Sequence, residues 1–324
     1  MEDVLIIGGG AGGLSAALTL ARARRRVLVV DAGSPRNAPA AAVHGFVTRD
    51  GTPPAELLAA GRAEVTRYGG RIVADEVRQV RAPARAGAAG AGFAVELAGG
   101  GTVSASRLIV ATGLHDELPE LPGLRERWGR DVLHCPYCHG WEVRGRPLGV
   151  LGAPGRLAIA VHQALLVRQW SPDVVLFTGG PDGAAASGAP DALEAADRVR
   201  LTARGVRIVA GEVSGLAVTD DELRGVRLAD GSVVARAALF VAPRFVPNDA
   251  LLTGLGCARD ETGALRVDAT GLTSVPGVWA VGNVADVMAQ VAGAAAAGVK
   301  AGVAVNWDLI EEELTETEPM EAAR

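Results

Sequence analysis

The chain has 324 residues, about two domains' worth at ~150 residues each. Apolar residues make up 49% and charged residues 21%, which supports a large core and excludes wholesale disorder. Three cysteines exclude a disulfide-stapled secreted scaffold, and a net charge of -5 with both signs spread along the chain gives no footprint for nucleic acid.

In chain order, Val4 to Ile7 is an apolar run of strand length. Gly8-Gly9-Gly10-Ala11-Gly12-Gly13 follows and matches G-x-G-x-x-G at Gly8, Gly10 and Gly13. Leu14 to Arg24 reads as a helix and Val27 to Val30 as a second strand, ended by Asp31. Each part has a mechanical reason in dinucleotide binding. Gly8 permits the tight turn, Gly10 lets a pyrophosphate approach the backbone, and Gly13 lets helix and strand pack closely. The helix N-terminus offers N–H groups to phosphates, and Asp31 would accept hydrogen bonds from a ribose.

Ala82 to Gly101 reads as a loop or hairpin around Phe93 to Leu97. Leu108 to Val110 is a buried strand that ends in the turn Ala111-Thr112-Gly113. Asp131 to Gly145 and Ala242 to Asn248 are irregular and read as crossings between two domains. Leu148 to Leu151, Leu157 to Gln169 and Val174 to Phe177 repeat the strand–helix–strand pattern. The fingerprint does not repeat. Pro154 stands where the second glycine belongs, removing an N–H and filling space a pyrophosphate needs. No arginine follows the second strand to hold a 2′-phosphate, and no acid ends that strand for a ribose. Gly179 to Pro190 reads as a flexible surface loop.

His134-Cys135-Pro136-Tyr137-Cys138-His139-Gly140 lies between the two halves. A C-x-x-C serves as a redox dithiol, as half a zinc site, or as two inert small side chains. Zinc needs four ligands, the set here is cramped into six residues, and no second C-x-x-C exists, so no metal is expected. In the redox reading His139 is the foremost acid–base candidate and His134 the second. Cys257 has no partner cysteine nearby in sequence and reads as structural.

Near the carboxyl end, Thr273 to Val284 contains Gly282-Asn283, and a helix of small residues starts about Gln290. Val287 to Val305 is interrupted by Gln290 and Lys300 and reads as a buried helix, not a membrane span. The acidic tail from Glu311 is expected to fray. The N-terminus lacks the basic n-region of a signal peptide, so a cytoplasmic protein with no membrane partner is expected.

Taken together, these motifs resemble the thioredoxin-reductase-like flavoproteins across nearly the whole chain. The resemblance implies an α/β fold with two Rossmann-like dinucleotide-binding domains. Residues 1–115 and 244–324 would form a discontinuous FAD-binding domain, and residues 116–243 an NADPH-domain-like insertion carrying the C-x-x-C. It implies FAD held by Gly8, Gly10, Gly13, Asp31, Ala111, Thr112, Gly113, Gly282 and Asn283, with Arg36 and His44 as flavin contacts. The helix starting at Gln290 and Val291 would aim its positive end at the flavin. Asn283 stands where the family carries Asp, and its oxygen or amide would serve a ribityl hydroxyl. His139 replaces the family's usual Asp after the second cysteine. With Pro154, these departures resemble the dithiol oxidase branch, the enzymes that close disulfides in gliotoxin- and holomycin-type metabolites. The implied partner is a small-molecule dithiol, the implied acceptor dioxygen, and the implied assembly a homodimer. The competing expectation is a disulfide reductase that draws on NADPH or ferredoxin and acts on a thioredoxin-like protein. A non-enzymatic redox sensor is the third.

Overall fold

A computed structural model describes residues 1–83, 92–153, 155–180 and 193–321, with side chains as far as Thr315. The chain divides into two compact units. The first comprises Met1–Ala38, Phe46–His115 and Phe245–Arg324, and the second Pro39–Gly45 and Asp116–Arg244.

The first unit begins with β1 (Glu2–Ile7), α1 (Ala11–Arg22) and β2 (Val27–Asp31). Val4–Ile7 and Val27–Val30 are apolar throughout because both faces are covered. Side chains alternate between the faces: Leu5, Ile7, Leu28 and Val30 enter one core cluster, and Val4, Ile6, Val27 and Val29 the other. α1 starts three residues before Leu14, inside the glycine run, because extended Gly10 is its N-cap. α2 (Pro54–Arg67), β3 (Arg71–Ala74), β4 (Val77–Arg81), β5 (Phe93–Leu97) and β6 (Thr102–Val110) follow. The sheet runs β3-β2-β1-β6-β5-β4. β1, β2, β3 and β6 are parallel, while β4, β5 and β6 form the antiparallel arm. The tip of that arm, residues 84–91, lies outside the described residues.

The chain leaves the first unit through β7 (Leu114–Glu117). The second unit contains α3 (Leu124–Arg127), β8 (Val132–Leu133), α4 (Pro136–His139), β9 (Leu148–Leu151), α5 (Leu157–Val167) and β10 (Val174–Gly179). α6 (Ala195–Ala203), β11 (Val206–Thr219), β12 (Glu222–Leu228), β13 (Val233–Ala235) and β14 (Ala238–Val241) complete it. Its sheet runs β13-β12-β11-β10-β9-β14-β8. The surface loop expected over Gly179 to Pro190 falls largely at positions 181–192, outside the described residues. Asp131 to Gly145 is not a crossing between domains: it lies wholly inside the second unit, carrying β8 and α4. Those elements are too short to leave a periodic signal in the sequence.

The chain returns through β15 (Arg244–Pro247), which pairs with β7. α7 (Ala250–Gly254), β16 (Val278–Ala280) and α8 (Val291–Glu321) complete the first unit. β16 adds to β6 in parallel. α8 packs on α1 at close range, and a methyl on Gly298 would overlap the Gly12 carbonyl oxygen. The acidic tail does not fray at Glu311: the helix continues to Glu321. Arg25 pairs with Glu313, and Arg107 with Asp308 and Glu312, tying the beginning of that tail to the unit. No described helix is long and apolar enough to cross a membrane.

Candidate active site

The glycine turn between β1 and α1 has the geometry that a phosphate cradle needs. Gly8 has φ +106°, a conformation other residues rarely adopt, and a Cβ there would overlap the Ala111 carbonyl oxygen. A methyl on Gly13 would overlap the Gly8 carbonyl oxygen. At Gly10, by contrast, a Cβ would meet nothing within 4 Å. Two glycines are thus demanded by the protein's own backbone, while the third faces open space at a helix N-terminus, with room for a diphosphate.

Asp31 ends β2 beside this turn. Its Oδ2 accepts from Arg62 Nη2 at 2.7 Å and its Oδ1 from the Gly33 N–H at 3.3 Å. Burial opposes ionisation of this carboxyl, but Arg62 and the N–H groups of Gly9 and Gly33 hold it below the usual aspartate value. The cleft alongside has a volume of about 390 Å³ and is lined by Asp31, Gly33, Arg62, Thr66, Ile72 and Ala74. Open space at Gly10 next to an acid-ended strand and a half-apolar cleft fits the adenosine diphosphate half of FAD.

Ala111-Thr112-Gly113 is pinned from two sides. Ala111 N–H donates to the Ile7 carbonyl at 2.7 Å, and Thr112 Oγ1 donates to the Asn248 carbonyl at 2.7 Å. Asn248 Nδ2 donates back to the Thr112 carbonyl at 2.9 Å, and its Oδ1 lies 3.1 Å from His115 Nδ1. Sequence reasoning missed this Asn248 clasp; its signal was a polar residue just after the apolar return strand. Gly282 has φ +70° and begins a 3-10 turn. Asn283 spends its amide on the carbonyls of Asp286, Val287 and Ala289, at 3.1, 3.4 and 2.9 Å. That leaves Oδ1, not the amide, for a ligand. α8 begins at Val291, with the Gln290 carbonyl accepting its first hydrogen bond from Ala294 at 2.8 Å. Arg36 lies over the Phe245 ring at 4.8 Å, a cation–π contact that orients its guanidinium.

The cysteine pair is in the second unit. Cys135 is the extended N-cap of α4, and its carbonyl accepts from the N–H groups of Cys138 and His139, both at 3.1 Å. This single turn places the two half-buried thiols on one side, three residues apart. The His134 carbonyl accepts from Gln163 Nε2 at 2.7 Å, and its ring Nδ1 lies 3.2 Å from the Val241 carbonyl oxygen. Gln163 went unnoticed in the sequence, although a buried amide in the apolar helix α5 is a visible anomaly. His44 also belongs to this unit, with Nε2 3.5 Å from Glu142 Oε1. Burial pushes the His139 imidazole below its usual value; Glu142 opposes that shift, and His44 and His134 reinforce it. A buried imidazole of this kind is neutral at pH 7 and able to accept a proton from a thiol. Cys257 is buried in the first unit against Thr273 Oγ1 at 3.5 Å, and burial raises its thiol pKa. Among the described residues no group of three or more His, Cys, Asp or Glu side chains could hold a metal ion.

The corresponding turn of the second unit differs in kind. Pro154 lies outside the described residues. Counting from Gly152 as from Gly8, the third fingerprint position is Leu157, which is buried. Its Cδ1 sits 3.1 Å from where a Cβ on Gly152 would be. A branched side chain therefore fills the gap that a small residue leaves open in a nucleotide-binding turn. The sequence pattern had revealed Pro154 but not Leu157.

A glycine turn open at Gly10 in one Rossmann-like unit and a dithiol on a single helical turn in the other are the parts of a disulfide oxidoreductase. The chain belongs to the pyridine nucleotide-disulphide oxidoreductase family, whose model matches residues 2–298, and is a thioredoxin-reductase-like FAD protein. It is 32% identical over 311 residues to "Thioredoxin reductase tcpT" of Claviceps purpurea, covering 95% of this chain and 94% of that one. It is 32% identical over 321 residues to "Thioredoxin reductase sirT" of Leptosphaeria maculans, with 95% and 94% coverage. Among solved structures, the crystal structure of HlmI superposes with a TM-score of 0.92 at 52% identity, covering 99% of this chain and 96% of that one.

Proposed function

We propose that this protein is an FAD-dependent dithiol oxidase that closes a disulfide in a small-molecule dithiol. The observation that carries the reading is the contrast between the two nucleotide turns. The first keeps Gly8, Gly10 and Gly13, whereas the second has Pro154 and a buried Leu157 in the corresponding places. That contrast supports electrons entering as thiols, not as NADPH.

In the catalytic cycle a substrate thiolate attacks Cys135 Sγ of the oxidised pair, and Cys138 leaves as a thiolate. The second substrate thiolate attacks the substrate sulfur of this mixed disulfide, forming the product disulfide and releasing Cys135. The two substrate protons pass to the two cysteine sulfurs, so Cys135 and Cys138 end as a dithiol and the substrate as a disulfide. His139 accepts a proton from the incoming thiol and returns it to the leaving thiolate, and Gln163 steadies the His134–Cys135 backbone through its bond to the His134 carbonyl. FAD, when bound, supplies the two-electron acceptor that restores the disulfide, with dioxygen as the final oxidant. Gly8, Gly10, Gly13 and Asp31 would hold its adenosine diphosphate half; Arg36, Ala111 to Gly113, Gly282, Asn283 and the start of α8 would hold the remainder.

Anaerobic mixing tests the proposal. A small dithiol should bleach the flavin absorbance within turnover time, while NADPH and reduced ferredoxin should not. Rapid stoichiometric bleaching by NADPH or ferredoxin would overturn it in favour of a reductase acting on a thioredoxin-like protein. The proton role has its own check. His139→Asn should lower dithiol turnover ~10²-fold or more. Glu142→Gln removes the carboxylate that favours the imidazolium, so the His139 pKa falls further. The acid limb of the pH–rate profile should then move to lower pH. A limb that stays in place would remove His139 from the proton path.

A further inference from the structure

We propose that Arg62 is a cofactor-recognition residue, fixing Asp31 for the adenosine ribose of FAD and presenting its own N–H groups to the same half of the cofactor. Arg62 lies on α2, outside every nucleotide-binding motif in the sequence. Its Nη2 reaches Asp31 Oδ2 at 2.7 Å. The Asp31 side chain is only 15% exposed, whereas Arg62 is 36% exposed and lines the cleft. A guanidinium carries five N–H donors in a fixed plane, and the bond to Asp31 uses one of them. Among the described residues the guanidinium makes no other hydrogen bond, and the side chain lines the cleft.

Three features make this pair more than a strut between α2 and β2. Arg62 holds one oxygen of the carboxylate while the Gly33 N–H holds the other, so the plane of the Asp31 carboxylate is set before any ligand arrives. Preset geometry of this kind lowers the ordering cost of binding. Ile72, Ala74 and Thr66 line the same cleft. The Thr66 hydroxyl donates to the Arg62 carbonyl at 2.9 Å, leaving its oxygen as an acceptor. A lining that mixes apolar and polar side chains suits a purine joined to a ribose. The third feature is charge. A lone aspartate beside a dianionic diphosphate is repelled by it, and Arg62 cancels that charge where the repulsion would act.

The test uses purified holoprotein and reads FAD release by the rise of flavin fluorescence on dilution, with ADP added to block rebinding. Arg62→Ala should speed release at least ~tenfold, the equivalent of ~1.4 kcal/mol. Arg62→Lys, which keeps the charge but not the planar fork, should fall between Arg62→Ala and the natural protein. The FAD-stripped full chain gives up only the Arg62–Asp31 pair, so in both variants its unfolding temperature should fall less than that of the FAD-loaded protein. Release at the natural rate would overturn the assignment. So would faster release with an equal fall in unfolding temperature for the stripped and the loaded chain, which would make Arg62 a strut alone. Neither readout depends on the direction of thiol chemistry, so the result stands apart from the oxidase proposal.

Discussion

Replacing Cys135 or Cys138 by serine should reduce multiple-turnover oxidation of a dithiol at least ~10³-fold while the protein keeps its full complement of FAD. Serine matches cysteine in size, and α4 is held by backbone bonds from Cys138 and His139 to the Cys135 carbonyl, so the turn should survive either change. What is lost is the polarisable thiolate, the reactive species in exchange. Because the two sulfurs act as one unit, the double variant should be no worse than either single one. Cys257→Ser is the control. That thiol is buried and its pKa is raised, so its replacement should leave turnover unchanged. Thiol oxidase rates are read from oxygen uptake and FAD content from the visible spectrum of the denatured protein. Sustained turnover by Cys138→Ser would sink the disulfide-exchange cycle. A natural enzyme that consumes dithiol only once would point to a redox sensor instead.

The parts of this molecule that could be read from sequence are those in which local chemistry and fold agree. Val4–Ile7 and Val27–Val30 are continuous apolar runs because both faces are buried, and Gly8 and Gly13 between them are required by backbone overlap. The C-x-x-C was legible because two cysteines three apart on a helical turn are a chemical statement in themselves. What stayed hidden depends on distance along the chain or on register. Arg62 meets Asp31 from a different helix, and its surroundings in sequence contain no motif. His44 meets Glu142 from a segment far away in the chain, so its part in the electrostatic setting of His139 could not be read from the sequence around that histidine, although Glu142 and His134 lie close by. Leu157 is an apolar residue in an apolar helix and gains meaning only when the fingerprint is counted through from Gly152. Asn283 reads as a conservative replacement for Asp. Its three amide bonds to carbonyl oxygens are ones a carboxylate could not make. The replacement therefore changes what holds the loop before α8.

The glycine turn yields a sharper prediction than loss of function alone, because its glycines are required for different reasons. Gly10→Val should leave the fold intact and abolish FAD binding, whereas Gly13→Val should damage both. Gly10 has φ -76° and ψ -175°, an extended conformation that valine adopts without strain. Beyond its own chain neighbours, no described atom lies within 4 Å of the position its Cβ would take. The added methyls therefore project into the space the diphosphate needs, at a helix N-terminus that draws much of its binding energy from close backbone approach. At Gly13 the added carbon overlaps the Gly8 carbonyl oxygen. No rotamer change relieves a clash with backbone, so α1 must move away from β1 and expose the clusters around Ala16, Ala17 and Leu20. Overpacking of this kind costs ~1–3 kcal/mol or more. The measurement is thermal unfolding of each FAD-stripped chain together with its FAD occupancy after purification. Gly10→Val should unfold at the natural temperature with FAD content reduced more than ~tenfold, and Gly13→Val should unfold early and carry none. If Gly10→Val retained FAD, the open space beside Gly10 would not be the diphosphate site, and the assignment of the first unit's cradle would fail with it.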